Sequence, residues 1–231
     1  MSRIILASAV VVSLIAAGSI RSVDAQPSDT GTIIGRVKLK PRVGGAALAS
    51  SAYPTRAVGP RESHPLPEIK NVVVYVKDAA FRGTPAPRKA EIRQEHETFI
   101  PHVLAVTRGS TLDFPNDDPI YHNVFSLSSA ATFNLGRYPK GDTRAKLLAK
   151  SGIVKVFCQI HSHMSATIIV FDHPYFTIPE LDGSFEVARV PAGDYTLVGW
   201  HERVGERSAT VHVERGRTAQ VDLSLPVEES R

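Results

Sequence analysis

"IVKVFCQIHSHMSATIIVFD" (residues 153–172) is two β-rich apolar runs joined by a short polar loop. The first run ends at Cys158 and the second begins at Ala166, so the segment reads as strand, loop, strand. Cys158 is the single cysteine of the chain, and Met164 is one of two methionines, the other being Met1. With His161 between them they give the spacing Cys-x2-His-x2-Met. A thiolate and an imidazole on a loop leaving a strand can turn toward one point, and a further donor must then arrive from elsewhere. "PNDDPIYHNVFS" (115–126) offers His122, where a Pro- and Asp-rich turn opens another strand.

Each residue has an ordinary explanation when taken singly. A free cysteine is usually a small buried hydrophobe, a methionine a core gap-filler, and a histidine near a turn a solvated polar group. Their coincidence in one seven-residue window points instead to a metal. Two imidazoles and a thiolate in a plane, with a weak axial thioether, form the blue-copper arrangement, because soft sulfur suits Cu(I) and imidazole suits both oxidation states. Zinc could use Cys158 and two histidines, but thioether is a poor zinc ligand, and the loop has no acid or second cysteine to complete a tetrahedral shell.

Working outward, nearly everything after residue 30 reads as short strands separated by turn signals such as "PNDDP" (115–119), "PKGD" (139–142) and "PAGD" (191–194). "AEIRQ" (90–94) and "TAQVDLSL" (218–225) each read as one strand, and no segment keeps a helical repeat. The expectation is an all-β chain of sandwiches or barrels. Residues 41–68, rich in Ala, Ser, Gly and Pro, read as a flexible loop.

The 231 residues carry a formal net charge of +4. That is too mild, and too evenly mixed with acids, to argue for nucleic acid. Residues 1–25 combine Arg3, an uncharged apolar run and small residues at Val23 and Ala25, the pattern of a cleaved secretory signal peptide. The run is short for a membrane anchor, and no later stretch is long and apolar enough to span a bilayer. A periplasmic or secreted protein is expected, in which a lone cysteine has no internal disulfide partner.

From "FIPHVLAVTRGSTLDFPNDDPIYHNVF" through "VKVFCQIHSHMSATIIVFD", residues 90–172 resemble a cupredoxin of the plastocyanin/amicyanin type. The shared pattern is F-x-P, then V-x-x-G, then F-x-N-x-D, His-Asn-Val, and finally Cys, His and Met on a short loop similar to that of amicyanins. The resemblance implies a Greek-key sandwich over 88–172 holding one type 1 copper. His122, Cys158 and His161 would be the in-plane ligands and Met164 the axial one. Asn123 would hydrogen-bond near the cysteine and hold the two ligand loops together. His163 stands where the family has no ligand and is expected to face solvent. His96 and His102 receive no role.

"GTIIGRVKL" (31–39) and "NVVVYVKD" (71–78), together with "DGSFEVARVPAGDYTLVGW" (182–200), resemble the two halves of a carboxypeptidase-regulatory-like (transthyretin-like) sandwich. That implies a discontinuous domain, 31–78 with 173–226, into which the copper domain is inserted. Separate flanking elements are the alternative. His201-Glu202 reads as strand-end surface. No serine nucleophile motif, phosphate loop or metalloprotease signature is present, so no enzymatic activity is expected. The expected function is single-electron transport between redox protein partners. Copper storage or delivery, and a metal-free scaffold or adhesion module, are the alternatives.

Overall fold

A computed structural model describes residues 29–40 and 66–227 of the chain. The expected signal peptide and most of the expected loop lie outside the described residues. Among the described residues eighteen strands follow one another, with a single turn of 3-10 helix (Glu68–Asn71) before the second. They are β1 (Thr30–Leu39), β2 (Val72–Lys77), β3 (Lys89–Glu91), β4 (Arg93–Glu95), β5 (Thr98–Ile100), β6 (Val103–Thr107), β7 (Thr111–Pro115), β8 (His122–Ser128) and β9 (Ala131–Tyr138). Then come β10 (Thr143–Leu147), β11 (Gly152–Phe157), β12 (Ser165–Phe171), β13 (Phe176–Thr177), β14 (Ser184–Pro191), β15 (Gly193–His201), β16 (Gly205–Val213), β17 (Thr218–Gln220) and β18 (Leu223–Leu225). The chain is all-β, as its composition of short strands and turn residues requires.

Two sandwiches result. In one, the sheet β6-β12-β11-β8-β9 faces β10-β7-β3 and the β4-β5 hairpin. Leu112, Phe114, Val124, Val154, Val156, Ile168 and Val170 fill its core, with Cys158 and Met164 at one end. In the other, β14-β1-β17, with β18 also on β1, faces β13-β2-β15-β16. Its core holds Ile33, Val37, Val72, Val74, Val76, Phe185, Leu197 and Val211. Strands β3 to β12 thus lie in sequence between β2 and β13, which pair with each other.

β2 and β12 do not alternate apolar with polar, and the reason is tertiary. Val72, Val74 and Val76 face one core, while Val73 joins Val103, Ile169, Phe171 and Trp200 in a separate apolar cluster between the two sandwiches. Ile168 and Val170 face the other core while Ile169 and Phe171 face that same cluster. A strand buried on both faces reads as a continuous apolar run.

Several details differ from the sequence reading. "AEIRQ" breaks at Ile92 into β3 and β4, and "TAQVDLSL" breaks at Val221-Asp222 into β17 and β18. The second break follows from Asp222, whose carboxylate accepts the Arg36 amide and the Lys38 ammonium instead of continuing the ladder. β5, β9 and β13 are additional strands. Glu68, at the end of the expected loop, belongs to the 3-10 helix and is 6% exposed.

His201-Glu202 is not simply surface. His201 is 1% exposed and donates from Nε2 to Glu68 at 2.7 Å. Arg203 closes on the same carboxylate at 2.8 Å. Burial would raise the Glu68 pKa, but the His201 hydrogen bond and the Arg203 guanidinium outweigh it and bring it down to about 2.

Gly35 marks the tightest approach in the second sandwich. A Cβ there would enter the Val221 carbonyl and also crowd the Phe185 ring. Backbone cannot rotate aside as a side chain can, so Gly35→Ala is expected to destabilise by about 3 kcal/mol or more, the upper end of overpacking costs. A lowered denaturant midpoint in equilibrium unfolding measures it, and an unchanged midpoint refutes the close approach.

Candidate metal centre

His122 is the first residue of β8, reached through the turn 116–121. Asn116, fully buried, holds that turn by donating to the carbonyls of Ile120 at 2.8 Å and Tyr138 at 3.1 Å. Its own Oδ1 accepts the Asp118 amide at 3.0 Å. Tyr138 lies opposite His122 in the β8-β9 register. Cys158 follows the last residue of β11, and Met164 precedes the first of β12. The loop is closed by Met164 N donating to the His161 carbonyl at 3.0 Å and Cys158 N to the Met164 carbonyl at 3.3 Å.

These elements bring His122, Cys158 and His161 together, the one such cluster among the described residues. Cys158 Sγ lies 3.8 Å from Nδ1 of His122 and 3.8 Å from Nδ1 of His161, and the two nitrogens are 3.0 Å apart. The point equidistant from the three atoms is about 2.1 Å from each, the length of a metal–imidazole bond and only slightly under a metal–thiolate bond. The donors therefore fit one ion in their own plane. His122 is fully buried, Cys158 is 3% exposed and Met164 1%. His161 is half-buried, on the solvent side.

Tautomer chemistry supports the same conclusion. His122 Nε2 donates to Asp118 Oδ2 at 2.7 Å, which leaves the Nδ1 lone pair aimed at Cys158 and His161. Asp118, four residues before His122, is the acid of the F-x-N-x-D pattern, but the sequence reading gave it no role at the site. Its carboxylate also accepts the amides of His96 at 2.6 Å and Glu97 at 2.8 Å. Burial alone would raise the Asp118 pKa. The Glu97 amide, the His122 ring and the His96 amide outweigh it and hold the acid below the usual carboxylate range.

Asn123 accepts the amide of Gln159, the residue after Cys158, at 2.6 Å, and donates to Asn134 at 3.2 Å. It ties the start of β8 to the loop that begins at Cys158. His163 is outside the cluster, about half exposed and 3.4 Å from the Glu97 carboxylate.

No family model matches the chain, and no curated protein matches it. Among solved structures the chain is similar to a purple cupredoxin from Nitrosopumilus maritimus, at 22% identity over 36% of this chain and 99% of that one, with a TM-score of 0.33. It is also similar to amicyanin from Paracoccus versutus, at 20% identity over 42% of this chain and 97% of that one, TM-score 0.34. A copper-containing nitrite reductase from Thermus scotoductus is 22% identical over 42% of this chain, which spans 25% of the reductase, TM-score 0.34.

Asp118→Asn should separate the carboxylate's roles from the ring's. The amide group keeps one acceptor oxygen where three donors converge, so a buried donor goes unsatisfied at a cost of about 1–3 kcal/mol. Losing the acid behind a ligating imidazole typically lowers metal affinity about 10–100-fold. Thermal unfolding and a competitive copper titration measure the two effects. Unchanged affinity would mean that Asp118 does not orient His122.

Proposed function

We propose that this chain is an exported blue (type 1) copper protein that carries single electrons between redox partners. The observation that carries the proposal is the triangle of Cys158, His122 and His161 donors, sized for one metal and facing inward with the His122 tautomer fixed. Bound copper supplies one-electron exchange between Cu(II) and Cu(I).

The chain's own residues keep that exchange cheap in reorganisation. Asp118 and Asn123 hold His122 and the Cys158 loop in one geometry for both oxidation states. Met164, buried in the same core cluster as Cys158, would supply a weak thioether as the fourth donor, and a site filled by four protein donors would leave no place for a substrate, which argues against an enzyme. His161, the most exposed of the set, is the point at which an electron enters or leaves. Among the described residues no helix is long and apolar enough to cross a membrane. With the signal-like residues 1–25, this supports a periplasmic or secreted location.

Loading the purified chain with Cu(II) and recording its visible spectrum tests the assignment. Intense thiolate-to-copper absorption at one copper per chain supports it, and a colourless complex overturns it. Reversible voltammetry together with slow Cu(I) loss to a chelator supports electron transport. Rapid Cu(I) loss would favour storage or delivery.

A further inference from the structure

We propose that the second sandwich positions the metal loop through a hydrogen-bonded relay, Glu202–His102–Ser165, which makes Glu202 and His102 positioning residues for Met164. The proposal deepens the copper reading and rests on it for the role of Met164.

Glu202 sits in the turn between β15 and β16, on the opposite sandwich from the metal. Its Oε2 lies 2.7 Å from His102 Nε2, and the other ring nitrogen, Nδ1, lies 2.9 Å from the Ser165 carbonyl, two acceptors that both bond the ring when it carries a proton on each nitrogen. Both ring nitrogens face acceptors, so the ring is held from both ends. Ser165 is bonded directly to Met164. The His102 carbonyl meanwhile accepts the Thr167 amide at 2.8 Å, so ring and backbone of one residue grip the exit of the loop at two points.

The other oxygen of Glu202 accepts from the Lys155 ammonium. Lys155 stands on β11 three residues before Cys158, and it also donates to the Thr167 hydroxyl at 2.7 Å. That hydroxyl donates in turn to Glu202 Oε2 at 3.3 Å. The strand entering the loop, the strand leaving it and the start of β6 therefore converge on one carboxylate from the other sandwich. The His102 hydrogen bond, joined by Lys155, holds the Glu202 acid at about 2 against partial burial, so it is charged at neutral pH.

The carboxylate is itself braced. The preceding Trp200 packs in the apolar cluster between the sandwiches, and His201 and Arg203 both bind Glu68. Each residue of Trp200-His201-Glu202-Arg203 thus fixes the turn or uses it. An axial ligand tunes the potential of a type 1 copper, and hydrogen bonds behind a ligand set its position. Loosening the exit of the loop should weaken the Met164 contact and favour Cu(I).

The test uses the full chain, with Glu202→Gln, His102→Gln, the double variant and Glu206→Gln as control. Glu206 is a carboxylate of the same sandwich that binds Lys77 and Tyr75 rather than His102 or Lys155. A glutamine at 102 can reach only one of the two acceptors. Both single variants should keep one copper and the thiolate band while shifting the Cu(I)/Cu(II) ratio at fixed applied potential about tenfold toward Cu(I), about 59 mV. The double variant should shift no further than either single one, because residues acting as one unit are non-additive. In the metal-free chain, amide hydrogen exchange at Cys158 and Met164 should quicken about tenfold in the relay variants and not in the control. Should Glu202→Gln not fold, His102→Gln carries the same comparison.

Potentials and exchange rates within the control's range overturn the relay, as do single-variant shifts that simply add. If wild-type protein shows no thiolate band but the exchange pattern changes as described, the relay stands as a clamp on the loop and the copper reading falls.

Discussion

Cys158→Ser should abolish the visible absorption of the copper-loaded chain completely. The band requires a thiolate bonded to Cu(II), and Sγ is the one sulfur in the triangle with the two imidazole nitrogens. A serine hydroxyl stays protonated near neutral pH and is too hard a donor to replace it. The substitution also places a hydroxyl where Cys158 packs among Val154, Val156 and Met164, at a cost of about 1–3 kcal/mol. Circular dichroism of the variant therefore accompanies the spectrum. A folded, colourless variant is the expected outcome, and a folded blue one would sink the assignment. Met164→Leu is the companion measurement. The swap nearly conserves volume, so the fold should survive at under about 1.5 kcal/mol. The colour should remain, and the potential should rise because the proposed weak thioether donor to Cu(II) would be lost.

The second large effect concerns how the chain can be divided. An isolated 88–172 fragment is expected to fold and bind copper, whereas a 173–231 fragment should not fold. β1 lies between β14 and the pair β17 and β18, and β2 lies between β13 and β15. Removing both takes a central strand from each sheet of the second sandwich and leaves edges with no ladder partner. The 88–172 fragment keeps all of β3 to β12 and its core, but uncovers Val103, Ile169 and Phe171, so it should aggregate more readily than the full chain. Amide proton spectra decide the matter. Dispersed signals from 173–231 would show that the C-terminal strands need no partner from residues 29–78.

Much of the fold was legible locally. Thr210 to Glu214 alternates polar with apolar, and all but Glu214 lie in β16, with Val211 and Val213 facing the core. The metal cluster was legible for a different reason. Cysteine and methionine are so scarce in this chain that their meeting in one loop is itself a signal, and the Pro- and Asp-rich turn that opens the strand at His122 indicated where a further donor would enter.

The β4-β5 hairpin shows where local reading stops. Its turn residues, His96 and Glu97, both have positive φ, at 54° and 52°, a conformation for which Asn-Gly is the usual signal. The Asp118 carboxylate accepts both of their amides, and so stabilises a turn that His-Glu would not announce.

What the sequence by itself determined was the strand class, the turn positions and the residues able to hold a metal, because strand period, turn chemistry and ligand type are properties of a residue and its near neighbours. Tertiary structure alone decided that β2 and β12 are buried on both faces, that Asp118 fixes the His122 tautomer, and that Glu202 reaches His102. Glu202 and His102 are 100 residues apart. A polar side chain reads as solvated in sequence whether or not a partner waits for it on another sandwich, since the hydrogen bond exists only once both strands have been placed.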